Sequence, residues 1–373
     1  MELLTGPPAI QISFRTSLPQ DLFANLLLLN AAPYIEGLDD WVTRTAARLS
    51  SELSREIRTL MGFLRYCPSL WGHLVMDFPQ DHPAHESFVA YHTLLARWPA
   101  ERYGWLALEG LQRELQRAGI PLSWPGDDPP APDFLATAVN ELAQFRCQGE
   151  PEWTERAPDL EEVTALFSDP APLKRRLLKL LEGFWTEAYA EAYTDCLPTM
   201  RRCVAYHRAR RYSPPFPSQF TAITGRALPE GLQERLVAIR QVTFVPSCHI
   251  GPYFIFATVP PRMQISFNAR TVAQAEAALD GQVVTLFPPL RALADETRLH
   301  ILALLSGAEG EMTTAEVMRR LGLSQSAASR HLGLLEKTGL IRSRKVNGMK
   351  CYRLDPTRGR EVLDALARLL NVA

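Results

Sequence analysis

The stretch 313–354 leaves this chain the least freedom in what it can become. Thr313-Thr314-Ala315-Glu316 spaces a hydroxyl and a carboxylate as a capping box does, so a short helix is expected over 314–321. Gly322 can adopt the positive φ that ends that helix, Leu323 can plug the space between two helices, and Ser324 is a favoured N-cap for the next. On this second helix Ala328, Leu332 and Leu335 recur at i, i+4 and i+7 and form an inward stripe, while Gln325, Ser326, Ser329, Arg330 and Gly333 occupy the opposite arc. Arg342-Ser343-Arg344-Lys345-Val346 and Met349-Lys350-Cys351-Tyr352-Arg353-Leu354 then read as two strands joined by an Asn347-Gly348 hairpin turn. Helix, turn, helix and basic hairpin in this order have the spacing of a DNA-reading motif.

The outward arc is small and polar, so it can approach a major groove closely. Glutamine and arginine offer bidentate patterns to base edges, and serine hydroxyls and a helix N-terminus can take phosphate oxygens. Gln325, Ser326, Ser329 and Arg330 are therefore the base-reading candidates, and Thr314, Ser324, Arg344, Lys345 and Lys350 the phosphate candidates. For the helix alone, a solvated face would explain the same residues equally well. The basic hairpin beside it decides between the two, because a wing of this kind lies over the phosphate backbone or enters the minor groove.

Charge is distributed accordingly. The whole chain has 40 lysines and arginines against 41 aspartates and glutamates, a net of −1 that excludes a uniformly basic coat protein or an acidic disordered tail. Residues 285–373 hold 14 of the bases and 9 of the acids, a net of +5, which leaves −6 on the rest. A basic module is thus attached to an acidic one, and the asymmetry points the smaller part at nucleic acid.

The segment resembles the arsenic-repressor (ArsR-type) family of winged-helix transcription factors. The residues that carry the resemblance are Leu293-Ala294-Asp295-Glu296-Thr297-Arg298-Leu299-His300-Ile301-Leu302, Leu323-Ser324-Gln325-Ser326-Ala327-Ala328-Ser329-Arg330-His331-Leu332 and Leu335-Glu336-Lys337-Thr338-Gly339-Leu340-Ile341, within a likeness covering about 286–373. It implies a homodimer built from the first and last helices of the module, here 290–305 and 359–370, with the two recognition helices on double-stranded DNA at an inverted-repeat operator. Repression by occluding a promoter is the family expectation. Metal-sensing members carry paired cysteines on the helix before the recognition helix, or histidine and carboxylate ligands on the last helix. This chain has Ala315-Glu316-Val317-Met318-Arg319 in the first place and no histidine in the second, so neither familiar metal site is expected, and no cofactor. Leu293, Leu299, Leu302 and Leu305 are expected to face the core, and His331 to pack beside the apolar stripe.

Length argues for at least two folding units, since 373 residues exceed what one core usually organises. The expected fold class is mainly α with small β-sheets: an α+β N-terminal domain over 1–284, then a winged helix-turn-helix domain over 285–373. In the first, Ile10, Ile12 and Phe14 alternate with polar residues as in a half-buried strand, and helical patterns run through 18–118, 134–145, 160–167 and 173–211. Residues 121–132, with Trp124-Pro125-Gly126-Asp127-Asp128-Pro129-Pro130, read as loop, and 230–239 as a short helix. The runs 242–245, 253–259 and 263–267 look like strands of a small antiparallel sheet. Gln-Ile-Ser-Phe occurs at both 11–14 and 264–267, which suits a first strand that joins the late sheet, although coincidence explains it too. The pair Pro288-Pro289 is expected to separate the two domains.

The N-terminal domain shows no phosphate-binding glycine loop, zinc-protease helix or nucleophile elbow, so an enzyme is not expected. The segment Phe244-Val245-Pro246-Ser247-Cys248-His249-Ile250-Gly251-Pro252-Tyr253 resembles an uncharacterised domain found ahead of this DNA-binding module in some multi-domain bacterial regulators, and that resemblance brings no ligand. A sensor or dimerisation role, with a small-molecule effector, is the leading expectation. An enzyme or a protein-interaction scaffold bearing a winged helix is the alternative. Cys196, Cys203 and His207 share one helical face, as a soft-metal site would require, but Pro198 disturbs the geometry and core packing is expected. Cys248 and His249 are adjacent, so on a strand they would point to opposite faces. The seven tryptophans could line an apolar pocket, although ordinary core is their commoner use. Six scattered cysteines suit reduced thiols, Met1–Pro8 lacks the pattern of a signal peptide, and the apolar stretch 22–35 is interrupted by Asn25, Asn30 and Pro33. A cytoplasmic protein with no membrane partner is expected.

Overall fold

A strand from each end of a 230-residue span opens the architecture. In the computed structural model, which describes residues 10–124, 130–149, 158–270, 281–308, 310–346 and 349–370, β1 (Gln11–Phe14) pairs with β2 (Gln241–Ser247). Between them run α1 (Leu18–Ala31), α2 (Asp40–Arg48), α3 (Ser51–Tyr66), α4 (Pro68–Met76), α5 (Phe88–Arg97), α6 (Ala100–Arg117), α7 (Pro132–Gly149), α8 (Leu160–Ser168), α9 (Pro170–Phe184), α10 (Ala190–Arg208), α11 (Phe216–Thr224) and α12 (Glu230–Leu236). β3 (Ile255–Val259) and β4 (Arg262–Asn268) complete the sheet in the order β1-β2-β4-β3. Pro125–Pro129 and Trp153 lie outside the described residues.

The sheet is mixed, which corrects the expectation of an antiparallel one. β1 and β2 are parallel, β2 and β4 are parallel, and only the β3–β4 hairpin is antiparallel. Local turn signals fix the pairing of sequence neighbours. They say nothing about strands joined through a crossover, and here β3 lies outside β4, so β4 returns beside β2 in the same direction. The two Gln-Ile-Ser-Phe segments flank β2, offset by two residues: Gln11 pairs with Gln241, whereas Gln264 pairs with Thr243, the partner of Ser13. Met263 through Phe267 are all buried, as expected of a strand covered on both faces.

Helices are started by residues whose side chains satisfy free amides. Ser50 accepts from the Leu53 amide and Ser87 from the Ala90 amide, each at 3.3 Å, while Asp169 accepts from the Ala171 amide at 2.9 Å. α4 packs close to β3: a Cβ added at Gly72 would stand 2.5 Å from the Thr258 carbonyl oxygen, so no larger residue fits without backbone movement. The expected 173–211 helix is α9 and α10 joined by a π-turn at Trp185–Tyr189, and the chain continues helically through Pro198.

α1 is buried nearly all round, including polar Gln20, Asp21 and Asn25. Their donors reach other elements: Gln20 donates to Ser266 Oγ at 2.9 Å, Asn25 donates to the Tyr189 hydroxyl at 3.0 Å, and that hydroxyl donates to Asp21, while Gln20 Oε1 and Asn25 Oδ1 find no hydrogen-bond partner among the described residues. Burial pushes the Asp21 carboxyl up from 3.8 to about 6, against the opposing hydrogen bonds of Ser247 and Tyr189.

Two compact units result: 1–33, 40–250 and 254–269 form the first, and 34–39, 251–253 and 270–373 the second. The dividing line thus falls before 270 rather than at 284/285, and two short segments from earlier in the chain belong to the second unit. That unit contains α13 (Gly281–Leu293), α14 (Glu296–Ser306), β5 (Met312–Thr313), α15 (Thr314–Leu321), α16 (Gln325–Lys337), β6 (Ile341–Val346), β7 (Met349–Leu354) and α17 (Pro356–Leu370), with sheet order β5-β7-β6. Pro288 and Pro289 sit inside α13 instead of ending it. The expected 290–305 helix is broken at Asp295, whose extended backbone and side chain cap α14 by accepting from the Arg298 amide at 2.9 Å. Its core joins Ile301, Leu305, Val317, Leu332, Leu335, Ile341, Tyr352 and Val362, with Leu293 and Leu302 packed against it. Leu299 is 49% exposed and is not a core residue. No helix among the described residues is long and apolar enough to cross a membrane.

Folding favours the protonated Asp21, so its contribution to stability is complete below pH 3.8 and is lost as pH rises through about 6. Buried His85 and His207, pushed down to about 3 and about 4, add an opposing rise common to both proteins, so in urea unfolding across that window the wild-type stability should fall relative to that of Asp21→Asn as pH rises. Parallel profiles would assign the titration to another group.

Candidate nucleic-acid interface

Local chemistry builds the helix-turn-helix as its spacing requires. Thr313 Oγ accepts from the Glu316 amide at 3.3 Å and the Thr313 amide donates to Glu316 Oε2 at 2.7 Å, closing the capping box. That amide and the Thr313 hydroxyl hold the Glu316 carboxyl below its ordinary pKa. Gly322 ends α15 at φ +65°, where a side chain would be strained, and Ser324 caps α16 by accepting from the Ala327 amide at 3.3 Å. Ala328, Leu332 and Leu335 are fully buried, which fixes the rotation of α16 about its axis.

That rotation leaves Gln325 and Arg330 exposed and Ser326 and Ser329 half-buried; Ser326 Oγ lies 3.3 Å from the exposed Ser324 hydroxyl. Thr314 is half-buried at the start of α15. Arg319 and Arg320, exposed near the end of α15, extend the cationic surface; the capping pattern marks only the other end of that helix, so spacing does not single them out. His331 is partly buried with Nδ1 3.7 Å from Asp295 Oδ1.

The wing is a β6–β7 ribbon registered from Ile341 opposite Leu354 to Val346 opposite Met349; Asn347-Gly348 lies outside the described residues. Its cations are not equivalent. Arg344 Nε donates to both oxygens of Glu311 at 2.7 Å, which raises its pKa. Lys350 donates to Glu336 at 2.7 Å; partial burial opposes its charge, but Glu336 and Tyr352 together outweigh it and raise its pKa. Ser343 also donates to Glu336. Lys345, exposed beside them, makes no ion pair among the described residues. Two of the three wing candidates are therefore screened by the protein's own acids, which their positions in sequence did not reveal.

The chain matches the family model described as "Helix-turn-helix domain" over residues 293–344. It is 40% identical over 80 residues to the transcriptional activator HlyU of Vibrio cholerae, covering 21% of this chain and 72% of that protein. It belongs to the ArsR-type family of helix-turn-helix transcriptional regulators. Other relatives are the arsenical resistance operon repressor of Escherichia coli, 47% identical over 64 residues (17% of this chain, 54% of that one), and an uncharacterised helix-turn-helix regulator of Methanocaldococcus jannaschii, 32% identical over 79 residues (21% and 88%). All three matches fall within about a fifth of this chain, and for the arsenical repressor they span about half the relative.

Elsewhere the structure regroups the cysteines and histidines. Cys203 is buried, and His207 stacks on Phe14 at 4.9 Å with Nδ1 2.5 Å from the Tyr212 hydroxyl; burial pushes its pKa down to about 4. Cys196 Sγ lies 3.3 Å from His249 Nε2, whose ring stacks on Trp41. Cys248 and His249 follow the end of β2 instead of lying on it, so strand alternation does not apply, and Cys248 Sγ approaches the Cys196 carbonyl at 3.8 Å. Among the described residues no group of three or more histidine, cysteine, aspartate or glutamate side chains could hold a metal ion. Trp98 is buried and Trp105 is 61% exposed, so the tryptophans serve no single purpose.

Exposed ion pairs are worth at most about 1 kcal/mol, and DNA phosphates can replace their carboxylates. Glu336→Gln and Glu311→Gln should each tighten DNA binding by about two- to fivefold, within that range. Titrations at matched salt would check this; unchanged or weaker binding would remove Lys350 or Arg344 from the phosphate candidates.

Proposed function

We propose that this regulator binds an inverted-repeat operator as a homodimer and represses by occluding the promoter, under control of a small molecule bound by the N-terminal unit. The observation that carries the reading is the face of α16: a fully buried Ala328-Leu332-Leu335 stripe opposite exposed Gln325 and Arg330. Arg330 and Gln325, with Ser326 and Ser329, would read base edges; Thr314, Ser324, Lys345 and, once released, Arg344 and Lys350 would hold phosphates.

Exposed apolar residues support the dimer. Phe287 on α13 is 65% exposed, Leu299 on α14 49%, and Leu363 on α17 64%, whereas Val362 beside it is buried in the core. These helices include the expected dimerising segments, and a large exposed side chain on each gains from being covered by a second copy. Control by an N-terminal ligand is supported by the composition of the second unit: residues 34–39 lie between α1 and α2 in sequence yet fold with the winged helix. A ligand acts through such a segment only if it binds the DNA-competent and incompetent states with different affinity. The named relatives include both an activator and a repressor, so the sign of regulation is the part of the proposal that rests on the family expectation alone.

Selection from a random duplex pool at near-physiological salt should enrich an inverted repeat. Arg330→Ala should lose about 1–3 kcal/mol of affinity for the selected site and relax preference at one position per half-site. Lys345→Ala should weaken all sequences alike and reduce the salt slope by about one. Wild-type affinity and preference in Arg330→Ala would sink that assignment; binding without enrichment, lost as salt rises, would favour a scaffold. Sedimentation of Leu363→Glu and Phe287→Glu should show monomers, and a persistent dimer in both would place the interface elsewhere.

A further inference from the structure

A cavity of about 550 Å³ opens to solvent at the end of β1 in the first unit, where three arginines, Arg15, Arg201 and Arg208, face one carboxylate, Glu86. We infer that it binds a small organic anion through a carboxylate or phosphate group held between Arg15 and Arg208.

Two of the guanidinium groups are fixed in place before any ligand arrives. Arg15 donates to the carbonyl oxygens of Gln80 at 2.6 Å and Thr16 at 3.3 Å; Arg208 donates from Nε to the Phe14 carbonyl at 2.9 Å. Nε of Arg208 is thereby used, and its two terminal nitrogens make no hydrogen bond among the described residues. Neither arginine has a carboxylate within ion-pair distance among the described residues, although each lines the cavity. Their positive charges are near enough to disfavour one another: Arg15 is held below its ordinary pKa by burial first and by Arg208 second, with Glu86 offsetting only part. A half-buried arginine beside a second cation is a cost in the folded protein. An anion between them would remove it, and the planar forks of both side chains suit carboxylate or phosphate.

The rim supplies the third charge. Arg201 reaches Glu86 at 3.5 Å with both side chains more than half exposed, a pair weak enough to part when a ligand enters. Arg201 and Arg208 are exposed, so water screens them in part, whereas Arg15 is half-buried. Here they line a concavity within the ~300–1,000 Å³ typical of small-molecule sites, with apolar Val204 in its wall. Inorganic phosphate would fill a small part of that space, which is why an organic anion is the assigned class. The inference gives the effector proposed above a location and a charge, but its test involves no DNA, so it stands or falls separately from operator binding.

The test is calorimetric titration of the full-length protein with succinate and, separately, with inorganic phosphate, at ionic strength held constant with chloride. Saturable binding is expected for at least one of the two probes. Arg208→Gln should weaken it by about tenfold or more, the loss of one charge-assisted contact. Arg201→Gln, which removes only a rim cation, should weaken it less and keeps the question answerable if Arg208→Gln does not fold. Glu86→Gln should tighten binding by removing the competing carboxylate, a change that a purely structural role for these residues does not produce. No saturable heat with either probe, or equal affinity in the wild type, Arg201→Gln and Glu86→Gln proteins, would overturn the assignment.

Discussion

Arg298 is the cation on which the winged-helix unit is organised. It is 6% exposed, and a guanidinium so buried is tolerable only when its donors are met. Nε donates to the Ala292 carbonyl at 2.6 Å and a terminal nitrogen to the Arg291 carbonyl at 3.1 Å, both at the C-terminal end of α13, where carbonyls lack helical partners. The other terminal nitrogen donates to Glu36 at 2.5 Å. One side chain thereby fixes the angle between α13 and α14 and holds the segment 34–39 in the unit. Around it, Tyr253 donates to the Glu36 carbonyl, Lys337 lies 4.3 Å from the Tyr253 ring centroid, and Arg270 pairs with Asp39 at 2.8 Å. Loss of Glu36 would leave the buried guanidinium with Asp295, at 3.7 Å, as its remaining carboxylate.

In the first unit the comparable constraint is polar too. Asn25 donates to the Tyr189 hydroxyl and that hydroxyl to Asp21, and Tyr189 is carried to them by the π-turn before α10. Apolar packing alone would accept several rotations of a helix buried all round. Matching these hydrogen bonds accepts one. The cysteine and histidine contacts at the end of β2 follow from that placement, since Cys196 is carried on α10 and meets His249 across 53 residues of sequence.

Legibility followed the range of the forces involved. The capping box at Thr313, the positive φ at Gly322, the Ser324 cap and the Ala328-Leu332-Leu335 stripe are all set by neighbours within one or two helical turns, and each was readable from spacing. The 290–305 helix was misread because Leu299 fits the same periodicity as its neighbours; only the break at Asp295 rotates it outward. Pro288 and Pro289 sit within α13 although proline rules place a boundary there. The sheet was misassigned in direction because hairpin signals describe β3 and β4, not the pairing of β2 with strands at positions 11 and 262. Among the site residues, identities were visible, but the pairing of Arg344 with Glu311 and of Lys350 with Glu336 spans 33 and 14 residues and left no pattern.

Residue order by itself determined that this chain carries a helix-turn-helix with a basic ribbon behind it and an acidic, largely helical region before it, because periodicity, caps, turn residues and charge balance act locally or as sums. Tertiary structure alone decided the parallel pairing of β1 with β2, the recruitment of 34–39 and 251–253 into the winged-helix unit, and the meeting of Arg15 with Arg208 at one cavity. Those features join residues up to 262 positions apart, and contacts at such separations are selected by burial and by the matching of polar groups in the assembled fold, for which a sequence read window by window holds no signal.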